Sequence, residues 1–336
     1  MHHLRMSLAL LLVAVLLLAV APISAQDDMQ TPVIIDTDMG SDDWMAILFM
    51  LQRDDIDVQA IAVNGTGLAY CDAGVHIALG LLTLMEYGDI PVTCGSETPL
   101  AGTNAFPDAW RTNMEGAESM GLPESAAMPA AMDSVELLTS MIADAAEPIT
   151  ILALGPLTNV GAALDATPEL ADNIAMIYIM GGAVDVDGSF ITDDNTTAEW
   201  NIYCDPYSAH LTFVSGAPVT LVPLDATNHV PVSAEFYEML DANHTTPAAD
   251  FIHAMLTGDS GFEESDGFFF WDPLAAAAVV DAGGLTIETR SVTVVDVEGP
   301  ENGRTKPVAN GSEIQVAVNA DSAAFYEGFL ATINAE

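Results

Sequence analysis

PVIIDTDMGSDDW, Pro32 to Trp44, is the stretch whose reading decides the fold. Pro32 to Asp36 is apolar until its last residue and does not alternate, as expected of a strand covered on both faces. It runs straight into Asp36, Asp38, Asp42 and Asp43, with Gly40 free to make a tight turn. Asp42 to Leu51 then reads as a helix carrying Trp44, Ile47, Leu48 and Leu51 on one face. Strand, acidic turn and helix form one β-α unit.

The same order recurs outward from this unit. Val58–Val63, Pro91–Thr93, Ile149–Leu154, Ile174–Met180 and Pro218–Val222 read as strands. Ala73–Met85, Glu136–Ala146, a stretch from Leu157 and Asp205–Val214 read as helices. Val292–Val318 reads as two strands around a polar loop, followed by a closing helix. Strands alternating with helices predict an α/β fold: an open, largely parallel (mixed) sheet with helices on both faces. Ligands bind such sheets at the carboxyl ends of strands, here the loops after Ile35, Val63, Leu154, Met180 and Val222. Glu97–Ala131 and Val184–Thr197 read as long loops, which in a compact domain are usually lids or disordered. No repeat or linker divides the chain, so residues 26 to 336 are expected to form one domain.

Residues 1 to 25 read as a signal peptide. Arg5 precedes an uncharged apolar run, Leu8 to Val20, and Ala25 offers a small residue for cleavage. The run is slightly short for a membrane span of about 18 residues or more. The expected location is therefore secreted, periplasmic or otherwise outside the cytoplasm, with no stable membrane association once the leader is cut.

Asp plus Glu number 49 against 6 Lys plus Arg, a formal charge of −43. Such a surface repels polyphosphates and argues against a nucleic-acid partner. Most of these acids suit a solvated surface, and a few suit divalent cations. Cys71, Cys94 and Cys204 allow one disulfide with one thiol left over, and their spacing fits no zinc pattern.

The acids of the opening stretch are too close for a site made of protein alone. Asp36 and Asp38 lie two apart at a strand end and point the same way. Asp42 and Asp43 open a helix whose dipole tolerates negative charge. A helix cap accounts for one of the four. A hard divalent cation, calcium or magnesium, would relieve the repulsion of the set.

With these residues the chain resembles the inosine-uridine preferring nucleoside hydrolases. Their Asp-x-Asp-x-Gly-x-Asp-Asp motif is present as Asp36, Asp38, Gly40, Asp42 and Asp43. Leu154–Asn159, Ile179–Gly182, Ala198–Asn201 with Asp205-Pro206, and Trp271–Ala275 are similar to the family's later segments, in order. The resemblance spans about residues 32 to 280 and implies a Rossmann-like nucleoside hydrolase fold. It also implies calcium-dependent hydrolysis of the N-glycosidic bond of small-molecule ribonucleosides, giving free base and ribose. The implied metal ligands are Asp38, Asp43, the Thr158 carbonyl and Asp272, with Asp38 doubling as the general base. Asp42, Asn195, Glu199 and Asn201 would bind ribose, and Asp36 would support the cluster. Relatives commonly form dimers or tetramers, so a homo-oligomer is expected.

Many relatives place His immediately before the late Asp, to protonate the leaving base. Here that residue is Trp271, which could stack on a purine or pack beside Phe268, Phe269 and Phe270. Stacking would slightly favour purine nucleosides and a role in purine salvage. Asn64 stands near, but not clearly at, the place of a family Asn. Trp110 could form the other wall of a base pocket or anchor its loop, and His229 could line the site. His76 and His210 read as packing or surface.

Three other readings compete. A haloacid-dehalogenase-type phosphatase also begins with a strand and Asp-x-Asp, but it needs a lysine near its nucleophile. The one lysine here is Lys306, beside Pro307 near the C-terminus. A non-catalytic nucleoside or ribose binder would be expected to lose Asp38 or the metal ligands, and this chain has all of them. The third reading is a hydrolase acting on another N-ribosyl compound.

Overall fold

The computed structural model describes residues 30–115, 121–257 and 267–335. The predicted leader lies outside these residues.

Nine strands form one sheet: β1 (Thr31–Thr37), β2 (Ile56–Val63), β3 (Val92–Cys94), β4 (Ile149–Ala153), β5 (Ile174–Met180), β6 (Val219–Val222), β7 (Leu285–Val294), β8 (Thr305–Pro307) and β9 (Ser312–Ala320). Their order is β3-β2-β1-β4-β5-β6-β9-β7-β8. The pairs from β3 to β9 are parallel, and β7 pairs antiparallel with both β9 and β8. The sheet is thus mixed and largely parallel, with helices on both faces, as expected.

Strand β1 lies between β2 and β4, where the chain stops adding strands on one side and begins on the other. That reversal leaves a crevice at the carboxyl end of β1. The acidic turn occupies this switch point.

Buried side chains of β1 alternate between two cores. Val33 and Ile35 join one with helices α1 (Ser41–Leu51) and α2 (Cys71–Leu84). Ile34 joins the other with α4 (Ser134–Asp144) and α5 (Thr158–Ala166). A strand covered twice needs apolar residues at successive positions, which is why it reads as a continuous run.

Two expectations are corrected. The long loop from Glu97 contains a helix, α3 (Asp108–Glu115). Its Arg111 donates to the Gly65 carbonyl and lies 3.8 Å over the Tyr70 ring, contacts that no local pattern encodes. The C-terminal part has three strands, β7 to β9, before the closing helix α12 (Ser322–Ile333). The cysteines resolve into a Cys71–Cys94 disulfide and a buried free Cys204.

The remaining helices are α6 (Trp200–Cys204), α7 (Pro206–Val214), α8 (Leu224–Thr227), α9 (Ala234–Ala242), α10 (Pro247–Thr257) and α11 (Trp271–Val279). Helix α11 packs against α1, which brings Asp272 to the acidic turn.

Candidate active site

A cavity of about 820 Å³ opens at the carboxyl end of the sheet. Asp38, Asp42, Asp43, Glu199, Asn201, Trp271 and Asp272 all line it, so residues up to 234 positions apart in sequence meet there.

Two glycines make room for Asp38. A Cβ on Gly67 would lie 2.2 Å from Asp38 Cβ, and one on Gly155 would lie 2.7 Å from it. The Leu68 amide donates to Asp38 Oδ2 at 3.0 Å, fixing the carboxylate against the loop after β2. Met39 then takes the left-handed backbone conformation (φ 62°), which turns the chain toward α1. Gly67→Ala is expected to displace Asp38 and to lower turnover about 10²-fold, the usual scale for misplacing a reacting group by about 1 Å. Steady-state kinetics on folded protein checks this.

Asp42, Asp43 and Asp272 each place a carboxylate oxygen within 4.8 Å of the other two. Asp43 Oδ1 accepts from Thr37 Oγ1 and from the Asp38 amide, the latter at 3.2 Å. Burial raises the pKa of all the clustered acids. Asp42 is pushed up to about 7 by desolvation and then by the charge of Asp43. Asp38 and Asp272 rise well above the usual carboxylate range, first through desolvation and then through neighbouring carboxylates.

Asp272 Oδ1 is buried and has no hydrogen-bond partner. A buried oxygen in that position calls for a ligand. An all-oxygen donor set with more negative charge than protein partners can balance fits a hard divalent cation.

These shifts fix a pH dependence for protein stripped of metal. A carboxyl with a higher pKa folded than unfolded binds more protons in the native state across the interval between the two values. Stability then falls as pH rises through that interval. Asp36 and Asp42, each raised from 3.8 to about 7, set the interval. The melting temperature of chelated protein is expected to fall from about pH 4 to pH 7. Calcium should reduce the part of that fall that comes from the clustered carboxylates Asp42, Asp43 and Asp272 by favouring their ionised forms, and leave the part due to Asp36. Thermal melts across pH, with and without calcium, read this directly.

Asp36 stands behind the cavity, not in its lining. It accepts from Asn159 Nδ2 at 2.8 Å and from Asn64 Nδ2 at 3.2 Å. Asn64 also donates to the Pro156 carbonyl, so it braces the loops. Glu199 caps α6, accepting from the amides of Asn201 (2.8 Å), Ile202 (3.2 Å) and Gly182 (2.9 Å). Asn201 Nδ2 donates to the Leu154 carbonyl at 2.8 Å and to the Met180 carbonyl at 3.3 Å.

Two residues of the expected site lie outside this lining. Thr158 does not line the cavity; it opens α5, and its hydroxyl donates to Asp205 Oδ2 at 2.9 Å. The residue of that segment in the lining is Leu154, just past the end of β4. Asn195 is also absent from the lining. Its Nδ2 donates to the Asn302 carbonyl at 2.8 Å, and its Oδ1 accepts from the Thr197 and Ala198 amides at 3.4 and 3.3 Å. These bonds tie the long loop to the Asn302 turn. His229 is exposed and also outside the lining.

The far side of the cavity is aromatic. Trp271 meets Phe268 edge-on at 5.1 Å, so the two packing partners and the cavity wall are the same residues. The lining also includes Trp110 and Trp200, 5.3 Å apart, with Phe106 stacked on Trp200 at 5.2 Å. Sequence reasoning did not single out Trp200. Its position beside Glu199 in a ribose-binding segment was the available signal.

Comparisons with known proteins agree with this geometry. The sequence profile described as inosine-uridine preferring nucleoside hydrolase matches residues 33–327. The pyrimidine-specific ribonucleoside hydrolase RihA of Escherichia coli O9:H4 (strain HS) is 37% identical over 214 residues, covering 64% of this chain and 67% of that protein. A purine-preferring ribonucleoside hydrolase from Gardnerella vaginalis superimposes with a TM-score of 0.75 at 27% identity, over 90% of this chain and 98% of that one. An inosine-uridine preferring nucleoside hydrolase from Bacillus anthracis has the same fold, with a TM-score of 0.82 at 21% identity, over 91% and 100% of the two chains.

Proposed function

Because this chain belongs to the inosine-uridine preferring nucleoside hydrolase family, whose members are metal-dependent N-glycosidic hydrolases of ribonucleosides, we propose that it is a calcium-dependent hydrolase of ribonucleosides that favours purine bases. The observation that carries the proposal is the convergence of Asp38, Asp42, Asp43 and Asp272 in one cavity with Glu199 and Asn201. An aromatic subsite adjoins them.

In this reading Asp38, Asp43 and Asp272 would hold the cation, with a main-chain oxygen from the Leu154–Thr158 segment completing the protein ligands. When bound, the cation neutralises the carboxylates and makes coordinated water more acidic. Asp38, held by Leu68 and shaped by Gly67 and Gly155, accepts the proton of the attacking water. The water oxygen bonds to C1′ as the C1′–N bond breaks, and the bonding pair leaves with the base. Positive charge develops on the ribosyl group, as in other glycoside hydrolysis, and the surrounding carboxylates oppose it. Asp42, Glu199 and Asn201 hydrogen-bond the ribose hydroxyls and set C1′ before Asp38. The buried Asp36 keeps the turn in register through Asn64 and Asn159.

The purine preference rests on Trp271 and the paired Trp110 and Trp200, which offer faces to a two-ring base. The relatives' names point both ways, one pyrimidine-specific and one purine-preferring. Export is proposed on the leader-like residues 1 to 25 and is supported by the Cys71–Cys94 disulfide, which suits an oxidising compartment. A homo-oligomer is proposed from the family resemblance.

The test is product analysis on inosine, adenosine, uridine and cytidine in phosphate-free buffer with calcium. Free ribose and free base are expected, with faster turnover of the purines. Faster release from uridine and cytidine would reverse the base preference. Failure to cleave any of the four would reject the hydrolase.

A further inference from the structure

We propose that Asp241, His244 and His253 form a zinc site where α9 meets α10, separate from the cavity and independent of the hydrolase chemistry. Asp241 is in the last turn of α9, His244 follows that helix, and His253 is on α10. None of the three lines the cavity. Each offers one ligand atom, and the three atoms lie within 4.8 Å of one another.

The donor types select the metal. Calcium takes oxygen ligands, which the aspartates of the cavity supply. Two imidazoles and a carboxylate suit zinc, which binds nitrogen and oxygen at about 2.0–2.2 Å in a tetrahedron. The fourth position falls to water, because Asp241 is exposed and both imidazoles are only partly buried.

The side chains stand close to that arrangement. His253 Nε2 lies 3.0 Å from Asp241 Oδ1, near the spacing of two ligand atoms on one zinc. Asp250 Oδ1 lies 2.6 Å from His244 Nδ1. A carboxylate on one ring nitrogen is the usual device that orients a metal-binding imidazole, and here it leaves Nε2 for the metal. Ion pairing accounts for each imidazole with its own carboxylate, but not for the meeting of the two pairs. The His244 and His253 rings stack with centroids 4.0 Å apart and an interplanar angle of 3°. A metal lies in the plane of each imidazole that binds it, so the parallel rings must turn about χ2 until their planes meet. That turn exchanges a ring stack for two metal bonds and moves no buried side chain.

Bound zinc would clamp the end of α9 to α10. Both helices back the cavity: Phe236 of α9 lies 4.6 Å from Phe270, next to Trp271, and Phe251 of α10 lies 6.2 Å from Trp44 of α1. The clamp therefore acts on stability.

The experiment is a calorimetric titration of zinc chloride into folded protein held in saturating calcium, which occupies the cavity carboxylates. One zinc per chain is expected. The His244→Gln/His253→Gln double variant should lose at least about 100-fold in affinity, and Asp250→Asn about 10–100-fold, the scale for a group one shell out. Asp241→Asn, at an exposed position, supplies a second ligand variant with a loss in the same direction. Zinc should raise the melting temperature of the unaltered protein and not that of the double variant. No saturable zinc binding, or the same affinity and stoichiometry in the double variant or in Asp241→Asn, would overturn the site. Ribose release from inosine, measured separately, reports on the hydrolase reading alone.

Discussion

Asp38→Asn is expected to lower kcat by about 10²–10⁴-fold at saturating calcium, the range a positioned general base contributes. Asparagine keeps the shape that Gly67, Gly155 and the Leu68 amide enclose, but it cannot accept the proton of the attacking water. The melting temperature of the metal-free variant should stay level or rise. Asp38 is a buried carboxyl opposed by the charges of Asp43 and Asp42, so neutralising it relieves repulsion in the apo protein. Lost activity with retained or improved stability separates a chemical role from a structural one. A comparable kcat loss in Asp36→Asn would be surprising. That carboxylate faces Asn64 and Asn159 and is absent from the cavity lining, so its variant should lose stability first.

Asp272→Asn is the second large effect, and its signature differs. Asp272 Oδ1 is a buried oxygen without a protein partner, the mark of a ligand atom. Altering groups one shell out from a metal commonly costs about 10–100-fold in affinity. Losing a direct carboxylate ligand should therefore raise the calcium concentration for half-maximal activity at least about 100-fold. Activity should return in part at high calcium, which Asp38→Asn would not show. A calcium titration of the two variants side by side distinguishes them.

The parts of this site legible in sequence are those with a chemical signature of their own. The apolar run into Asp36 and Asp38 marks a buried strand and a site at once, because four acids at a strand end have no cheap structural explanation. Glu199, Asn201 and Asp272 were legible through ordered segments, and the structure brings all three to the cavity that Asp38 lines. The misses have a common cause. Any residue can offer a main-chain oxygen, so sequence does not separate Thr158 from Leu154; in the structure Leu154 lines the cavity and Thr158, at the start of α5, does not. Asn195 is a polar residue in a polar loop, and its bond to the Asn302 carbonyl is a tertiary contact that no local pattern encodes. The helix α3 depends on Arg111 reaching Gly65 and Tyr70, which are distant in sequence. Strand β7 is half exposed and lacks the continuous apolar run of the central strands, so no run of residues marks its first half.

The most direct test of the account is a calcium titration of metal-free protein, following ribose release from inosine. Activity should be absent after chelation and rise to saturation with one calcium bound per chain. Undiminished ribose release from protein shown to be free of metal would contradict it.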